Sequence, residues 1–339
     1  MVRNNSNEAL IPRLSQGKIT LLVMTLALSV LVAAITVDMV NPALPLIGEQ
    51  LGASKARISW VVSGVALILA IGVPLYGRMS DFFDLKKLFI IAVGILSSGS
   101  LICALAPNLI VLVAGRMIQG AGMAAIPVLS VVAVSKVLPP GKRGGAFGII
   151  AGSIGIGTAS GPIFGGAVGD LWGWQALFWV TLLLSVLVIV GTMYALPSLL
   201  PAAQQGKRRP FDVLGGALLG LTAGLLLFGV TQGEAAEFAS VSSPGSFAGS
   251  VAALICFVWR IHAADDPFVP PVLFANRVYV CALIVSMCSM FAYFAVLVFV
   301  PLLVVEANGL SPGQAGWCCC RVERPSRPFL RSLAACRIG

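Results

Sequence analysis

A chain of 339 residues that is 58% apolar and only 10% charged, with a mean hydropathy of +0.98, excludes an ordinary soluble enzyme. It equally excludes a disordered chain, which needs the opposite composition. The net charge of +9, from 22 Lys and Arg against 13 Asp and Glu, fits basic loops on one side of a membrane. Nucleic-acid binding is not expected, because no long basic or aromatic-interleaved soluble segment is present.

A membrane-spanning helix needs about 20 mainly apolar residues. In chain order, nine segments supply them: roughly 19–44, 58–77, 88–106, 109–135, 145–168, 175–197, 213–232, 247–263 and 278–303. The first starts after Lys18 and ends near Pro45. It is too long for the apolar core of a signal peptide and reads as a retained helix. Pro107-Asn108 forms a tight turn between the third and fourth spans. After the sixth span, residues 198–212 form a basic joint with Pro201, Lys207-Arg208-Arg209 and Pro210.

Orientation follows from the basic residues. The N-terminal segment and the loops on its side carry Arg3, Arg13, Lys18, Arg78, Lys86, Lys87, Lys136, Lys142, Arg143, Lys207, Arg208, Arg209, Arg260 and Arg277. The opposite loops carry Lys55 and Arg57, together with Glu49, Asp170, Glu234, Glu237 and Glu306. This places the N-terminus in the cytoplasm.

Cys103, Cys256, Cys281 and Cys288 stand singly in apolar runs and read as small buried hydrophobes. Without a Cys-x-x-Cys pair and a matching His pair, no metal site is expected. The single histidine, His262, reads as a solvated loop residue beside Asp265 and Asp266. Nothing around it supplies a nucleophile, so no enzymatic activity is expected.

Two ionisable residues fall clearly inside spans: Asp38 in the first and Arg116 in the fourth. Charges in a bilayer are expensive unless paired or wetted, so both are functional candidates. Each lies roughly 10–12 Å below the outer surface at 1.5 Å per residue, so one cavity could hold both. A carboxyl there could load and release a proton as its partner or its water access changes. The alternative is a static ion pair that only joins two helices. Arg116, Gly120, Met123, Ala124 and Pro127 recur on one face of the fourth span. In the fifth, Ser153, Gly157, Gly161, Gly165 and Gly169 stand four apart, with Pro162 among them. That ladder permits close helix packing, and Gly161-Pro162 permits a bend. Between the second and third spans, Asp81 and Asp84 precede a helix N-terminus, where the dipole favours anions.

These pieces together resemble the major facilitator superfamily, in its multidrug:proton antiporter branch. Arg116-x-x-Gln119-Gly120-x-Gly122-x-Ala124 matches the family's fourth-helix motif. Gly157-x-x-x-Gly161-Pro162-x-x-Gly165-Gly166 matches the fifth-helix motif of antiporters. Gly77-x-x-Ser80-Asp81 with Lys86-Lys87 matches the loop motif, with Phe82 in place of the usual Arg and Asp84 in place of the usual Gly. Asn41-x-Ala43-Leu44-Pro45 is similar to 14-helix drug exporters, although Thr36 stands where those carry their acid. Asp38-Met39 followed by Pro42-x-Leu44-Pro45 looks more like 12-helix exporters. Asp266-Pro267-Phe268-Val269 is similar to Gram-positive tetracycline exporters with 14 helices. The resemblance covers about 1–316.

The resemblance implies an all-α helical bundle of the major facilitator type, with about nine helices of an expected fourteen. Residues 1–197 would be the six-helix N-terminal half, 198–212 a cytoplasmic basic linker and 213–263 an inserted helix pair. Residues 264–316 would begin the C-terminal half with one helix. The implied function is export of small hydrophobic or amphipathic drugs, tetracycline-like ones favoured, in exchange for protons by alternating access. Asp38 and Arg116 would couple the proton. Asn41, Gln119, Gly120 and Met123 would border the substrate path. Gly157, Gly161, Pro162 and Gly165 would shape the antiport helix. Gly77, Asp81, Lys86 and Lys87 would gate. No cofactor is expected beyond the proton gradient as energy source. The expected partners are a small-molecule drug, the proton and membrane lipid in a bacterial inner membrane, with self-association left open. A non-transporting membrane remnant and a proton-coupled nutrient importer are the alternatives.

After Gly316 the character changes. Residues 317–339 lose membrane periodicity and hold Cys318, Cys319, Cys320 and Cys336. A GC-rich back-translation read in another frame yields an apolar run ending in the same Gly-Arg-x-Ser-Asp motif found at Gly77 to Asp81. A frameshift after Gly316 is therefore expected, with impaired transport as its consequence.

Overall fold

The computed structural model describes residues 15–198, 213–235, 242–263, 275–289 and 291–292. The described residues are almost wholly helical. Helix α1 spans Gln16–Asp38, and after a 3-10 turn at Asn41–Ala43 come α2 (Leu44–Leu51) and α3 (Lys55–Ile58). Then follow α4 (Trp60–Met79), α5 (Leu85–Ala104), α6 (Leu109–Val137), α7 (Pro140–Trp172), α8 (Trp174–Ala195), α9 (Val213–Ala235) and α10 (Ser242–Ala263). A further apolar helix, α11, covers Arg277–Ser289. Among the described residues, seven helices are long and apolar enough to cross a membrane, and shorter apolar helices cover Leu214–Leu226 and Arg277–Ser289. Each of the first eight expected spans thus has a helix beneath it, and the ninth has one over its described first part, Arg277–Ser289.

The first span departs from expectation: instead of running to Pro45, α1 stops at Asp38. Pro42 and Pro45 lack the N–H that an α-helix would need, so the chain tightens into the 3-10 turn and restarts as α2. Gly52, at φ 59°, ends α2 in the left-handed region. Gly173, at φ 81°, separates α7 from α8.

Local chemistry fixes the other ends. The Asp84 side chain accepts from Lys87 N at 3.0 Å and starts α5. Asn108 accepts from Val111 N at 3.0 Å and starts α6. Lys136 Nζ donates to Ser80 O at 3.0 Å, at the end of α4. Lys86 Nζ donates to Met193 O at 2.7 Å in the last turn of α8, and Arg143 Nε donates to Leu138 O at 2.8 Å just past α6. Lys142 Nζ reaches Gln16 Oε1 at 2.9 Å at the start of α1. The cations gathered at this end of the bundle complement the negative ends of α4, α6 and α8.

Residues 15–263 pack as part of one compact unit, and α11 belongs to another. In the first unit, α6 lies against α1, α4, α5 and α7, while α1 also lies against α7 and α8. The α9–α10 hairpin packs on α4 through α9. Trp60 and Phe228 rings meet there at 6.0 Å, and Ser250 Oγ donates to Thr222 O at 2.9 Å between α9 and α10.

Two apolar clusters form the core. One, toward the basic end, joins Leu26, Val30, Phe89, Leu96, Met123, Ile126 and Leu129. The other joins Met39, Ile47, Val61, Cys103, Leu112, Leu177 and Phe178.

Expectations on four single residues need correction. Cys103 is buried, but Cys256, Cys281 and Cys288 are exposed. A spanning helix is apolar on every face, so apolar neighbours in sequence do not mark a packed one. His262 lies in the last turn of α10 rather than in a loop, with Nδ1 2.8 Å from Val258 O. The joint at 199–212, Asp265 and Asp266, and the tail at 317–339 lie outside the described residues.

Candidate functional site

Between the two apolar clusters lies a polar layer. Thr36 from α1, Ser100 from α5 and Arg116 and Gln119 from α6 are all buried, at 1%, 0%, 1% and 0% exposure. The spacing of α6 puts Arg116 and Gln119 on one face, three residues apart. Glycines bring α5 within reach of that face. A methyl group on Gly99 would run into the Gln119 backbone, and one on Gly122 would meet Leu96 N at 2.5 Å. The helix axes can approach this closely only with hydrogen as the side chain.

Arg116 makes contacts with several helices. Its Nη1 donates to Gln119 Oε1 at 2.6 Å and to Thr36 O at 3.2 Å. Its Nε donates to Val61 O at 3.4 Å, at the start of α4. The guanidinium carbon stands 6.0 Å from the centre of the Phe178 ring on α8, a cation–π distance. Gln119 Nε2 then donates to Ser100 Oγ at 2.8 Å, and Ser100 Oγ donates to Leu96 O at 2.8 Å. Thr36 Oγ1 donates to Val32 O at 2.7 Å. No buried side-chain nitrogen or oxygen among the described residues lacks a partner.

Thr36 O belongs to the last turn of α1, where carbonyls have no helical partner. That helix carries no basic residue of its own in the turn. Arg116 supplies the missing cation from across the bundle. No carboxylate oxygen lies within 4.0 Å of it among the described residues. Asp38, the last residue of α1, stands two residues beyond the Thr36 carbonyl that Arg116 holds. The two sequence-identified charges therefore share one neighbourhood without forming a direct ion pair.

Asp38 itself faces α7. A methyl group on Gly161 would stand 3.0 Å from Asp38 Cβ. One on Gly157 would stand 2.6 Å from Ala34 Cβ, and one on Gly165 would run into the Met39 carbonyl. The glycine ladder thus lies along the end and the break of α1. Pro162 lies beside it on the exposed side of α7.

The other sequence-identified residues fall as follows. Gly120 packs against Val65 and Ile68 of α4, and Met123 is buried in the first apolar cluster. Asn41 is exposed at the start of the 3-10 turn. Asp81 lies 3.7 Å from Arg78 Nη1, and the Arg78 guanidinium stands over Phe82 at 5.4 Å. Gly77 O accepts from Ser80 Oγ at 2.7 Å, and Lys87 is the residue whose N–H Asp84 caps. Sequence reasoning missed Ser100 and the role of the Thr36 carbonyl. A serine in an apolar run is unremarkable by itself, and a main-chain carbonyl leaves no mark in the sequence.

Comparison with known proteins gives the context. The family model for the Major Facilitator Superfamily matches residues 26–319. The chain is similar to the Multidrug resistance protein Stp of Mycobacterium tuberculosis (strain CDC 1551 / Oshkosh), 28% identical over 82% of this chain and 51% of that protein. It is also similar to the Tetracenomycin C resistance and export protein of Streptomyces glaucescens, 27% identical over 86% of this chain and 54% of that protein. The chain spans about half the length of the curated relatives it matches. Among solved structures, the human organic anion transporter MFSD10 (TETRAN) matches in fold, with a TM-score of 0.50 and 17% identity over 61% of this chain and 54% of that one.

Proposed function

This chain belongs to the major facilitator superfamily, and on that premise we propose that it serves drug efflux, exchanging small amphipathic drugs for protons. The observation that carries the proposal is the buried Arg116, held by carbonyls, an amide and a ring, with Asp38 nearby and unpaired with it. A buried guanidinium without a counter-ion is costly in a bilayer. It gains when Asp38 is ionised and loses that gain when Asp38 takes up a proton. The end of α1 therefore feels the proton through Arg116 and Thr36 O. Asp38 also abuts the glycine ladder of α7, so the same event bears on the α1–α7 contact.

The names of the relatives, multidrug resistance and tetracenomycin C resistance and export, support export as the direction and drugs as the cargo. Tetracycline-like compounds, flat and amphipathic, are the first class to test. The basic end formed by Lys86, Lys136, Lys142 and Arg143 is assigned to the cytoplasm of a bacterial inner membrane, with the N-terminus on that side.

The test is drug susceptibility of expressing cells together with drug-driven proton flux in inverted vesicles. Export and proton movement are expected to be weak in this chain and full in the same gene with its frame restored after Gly316, and in the exporting background Asp38→Asn lowers proton-driven export at least about tenfold. Retention of full proton-driven export by Asp38→Asn would sink the coupling role. Modification of a cysteine placed at Lys87 from the cytoplasmic side only checks the orientation.

A further inference from the structure

We infer that Ser100 on α5 is a positioning residue for Arg116, acting through Gln119. The inference deepens the export reading above and rests on it for the role of Arg116. Donor and acceptor accounting carries it. Arg116 has only donors, so the oxygen of the Gln119 amide must face it. The amide nitrogen must then face Ser100, and Ser100 Oγ must accept. Its own proton goes to Leu96 O. Each member of the chain has one orientation that satisfies all of them, and Ser100 closes the far end.

The site is sealed. Ser100 and Gln119 are each 0% exposed, so no open surface offers Gln119 a substitute partner there. Gly99 and Gly122 make the reach of 2.8 Å attainable by letting α5 lie on the α6 backbone. Without the Ser100 oxygen, Gln119 Nε2 is a buried donor with no acceptor. The amide then loses its reason to keep its oxygen on Arg116, and the guanidinium loses its shortest contact.

The experiment uses the full chain, with Ser100→Ala and Ser100→Thr, in nanodiscs and in proteoliposomes. With 15N-labelled glutamine, the side-chain amide pair of Gln119 is assigned by its loss in Gln119→Leu. In Ser100→Ala the pair moves and its hydrogen exchange rises about tenfold or more, the size expected for an unsatisfied buried donor. Ser100→Thr, which keeps the hydroxyl, leaves the pair in place. In flux measurements Ser100→Ala lowers the maximal drug-coupled proton flux about tenfold while the half-saturating drug concentration stays within about twofold, and Ser100→Thr restores it. An unchanged Gln119 pair in Ser100→Ala overturns the inference, as does an equal change in both variants. If neither this chain nor the same gene with its frame restored after Gly316 moves protons, the export reading fails, and the amide pair still decides on Ser100. Should Ser100→Ala not accumulate, Ser100→Cys, with a weak sulfur acceptor, carries the same expectations.

Discussion

Two glycine seams run through the first unit, and they do different things. In the α5–α6 seam, Gly99 and Gly122 let two helices meet backbone to backbone, with large side chains packed on both sides. In the α1–α7 seam, Gly157, Gly161 and Gly165 do the same along one edge of α7, while the rest of α7 stays open. Of the apolar stretch of α6, 61% is buried, against 17% for α7. The ends differ as well: Asp84 and Asn108 cap α5 and α6 through side chains, whereas α7 starts at Pro140 with no side-chain cap. Close approach therefore has two uses. Deep in a packed pair it brings polar groups into register, and at the edge of a one-sided helix it makes a contact that can change. The first seam holds the Arg116 layer together, and the second touches Asp38 and the break of α1.

The largest expected effect is at the first seam. Gly122→Ala puts a methyl group 2.5 Å from both Ala92 O and Leu96 N, which are backbone atoms and cannot step aside. A loss of about 3 kcal/mol is expected, seen as a sharp drop in thermal stability in detergent. Near-wild-type stability would show that the α5–α6 pair can move apart to admit a methyl group.

Next comes the contrast within α7. Gly165→Ala collides with the Met39 carbonyl, while a methyl group on Gly166 meets nothing within 4 Å. The first substitution costs about 2 kcal/mol, and the second is neutral or gains about 0.5 kcal/mol from its helix propensity. Equal melting temperatures for the pair would remove the one-sided character of α7.

Smaller still is the difference at the helix starts. Asn108→Ala loses the cap on Val111 N and costs about 1 kcal/mol. Pro140→Ala, at a position without a side-chain cap, costs less than about 0.5 kcal/mol. Of the same small order is Lys136→Ala, which removes a cation from Ser80 O at the end of α4 and costs about 0.3–1 kcal/mol, less at high salt. Chemical denaturation of the purified variants ranks all of these.

Much of this was legible in the residues. The spans followed from runs of apolar sequence, and Asp38 and Arg116 stood out because a charge in such a run is rare. The four-residue spacing of Gly157, Gly161 and Gly165 announced a close-packed edge within one helix. The α5–α6 seam was harder to see, because Gly99 and Gly122 come from different helices and gain meaning only when those helices meet. Ser100 was hidden for the same reason. The end of α1 at Asp38, rather than at Pro45, also came from local backbone geometry that hydropathy does not report.

By itself, the sequence determined that this chain is a bundle of apolar helices with basic residues gathered at one end, and that two charges are placed within it. It did so because the bilayer imposes length and composition on each helix separately. Only the tertiary structure decided which faces meet, that Arg116 caps α1 instead of pairing with Asp38, and that Ser100 closes the polar chain. A helix apolar on every face carries no amphipathic signal for its orientation, so packing and the pairing of each buried polar group settle what hydropathy leaves open.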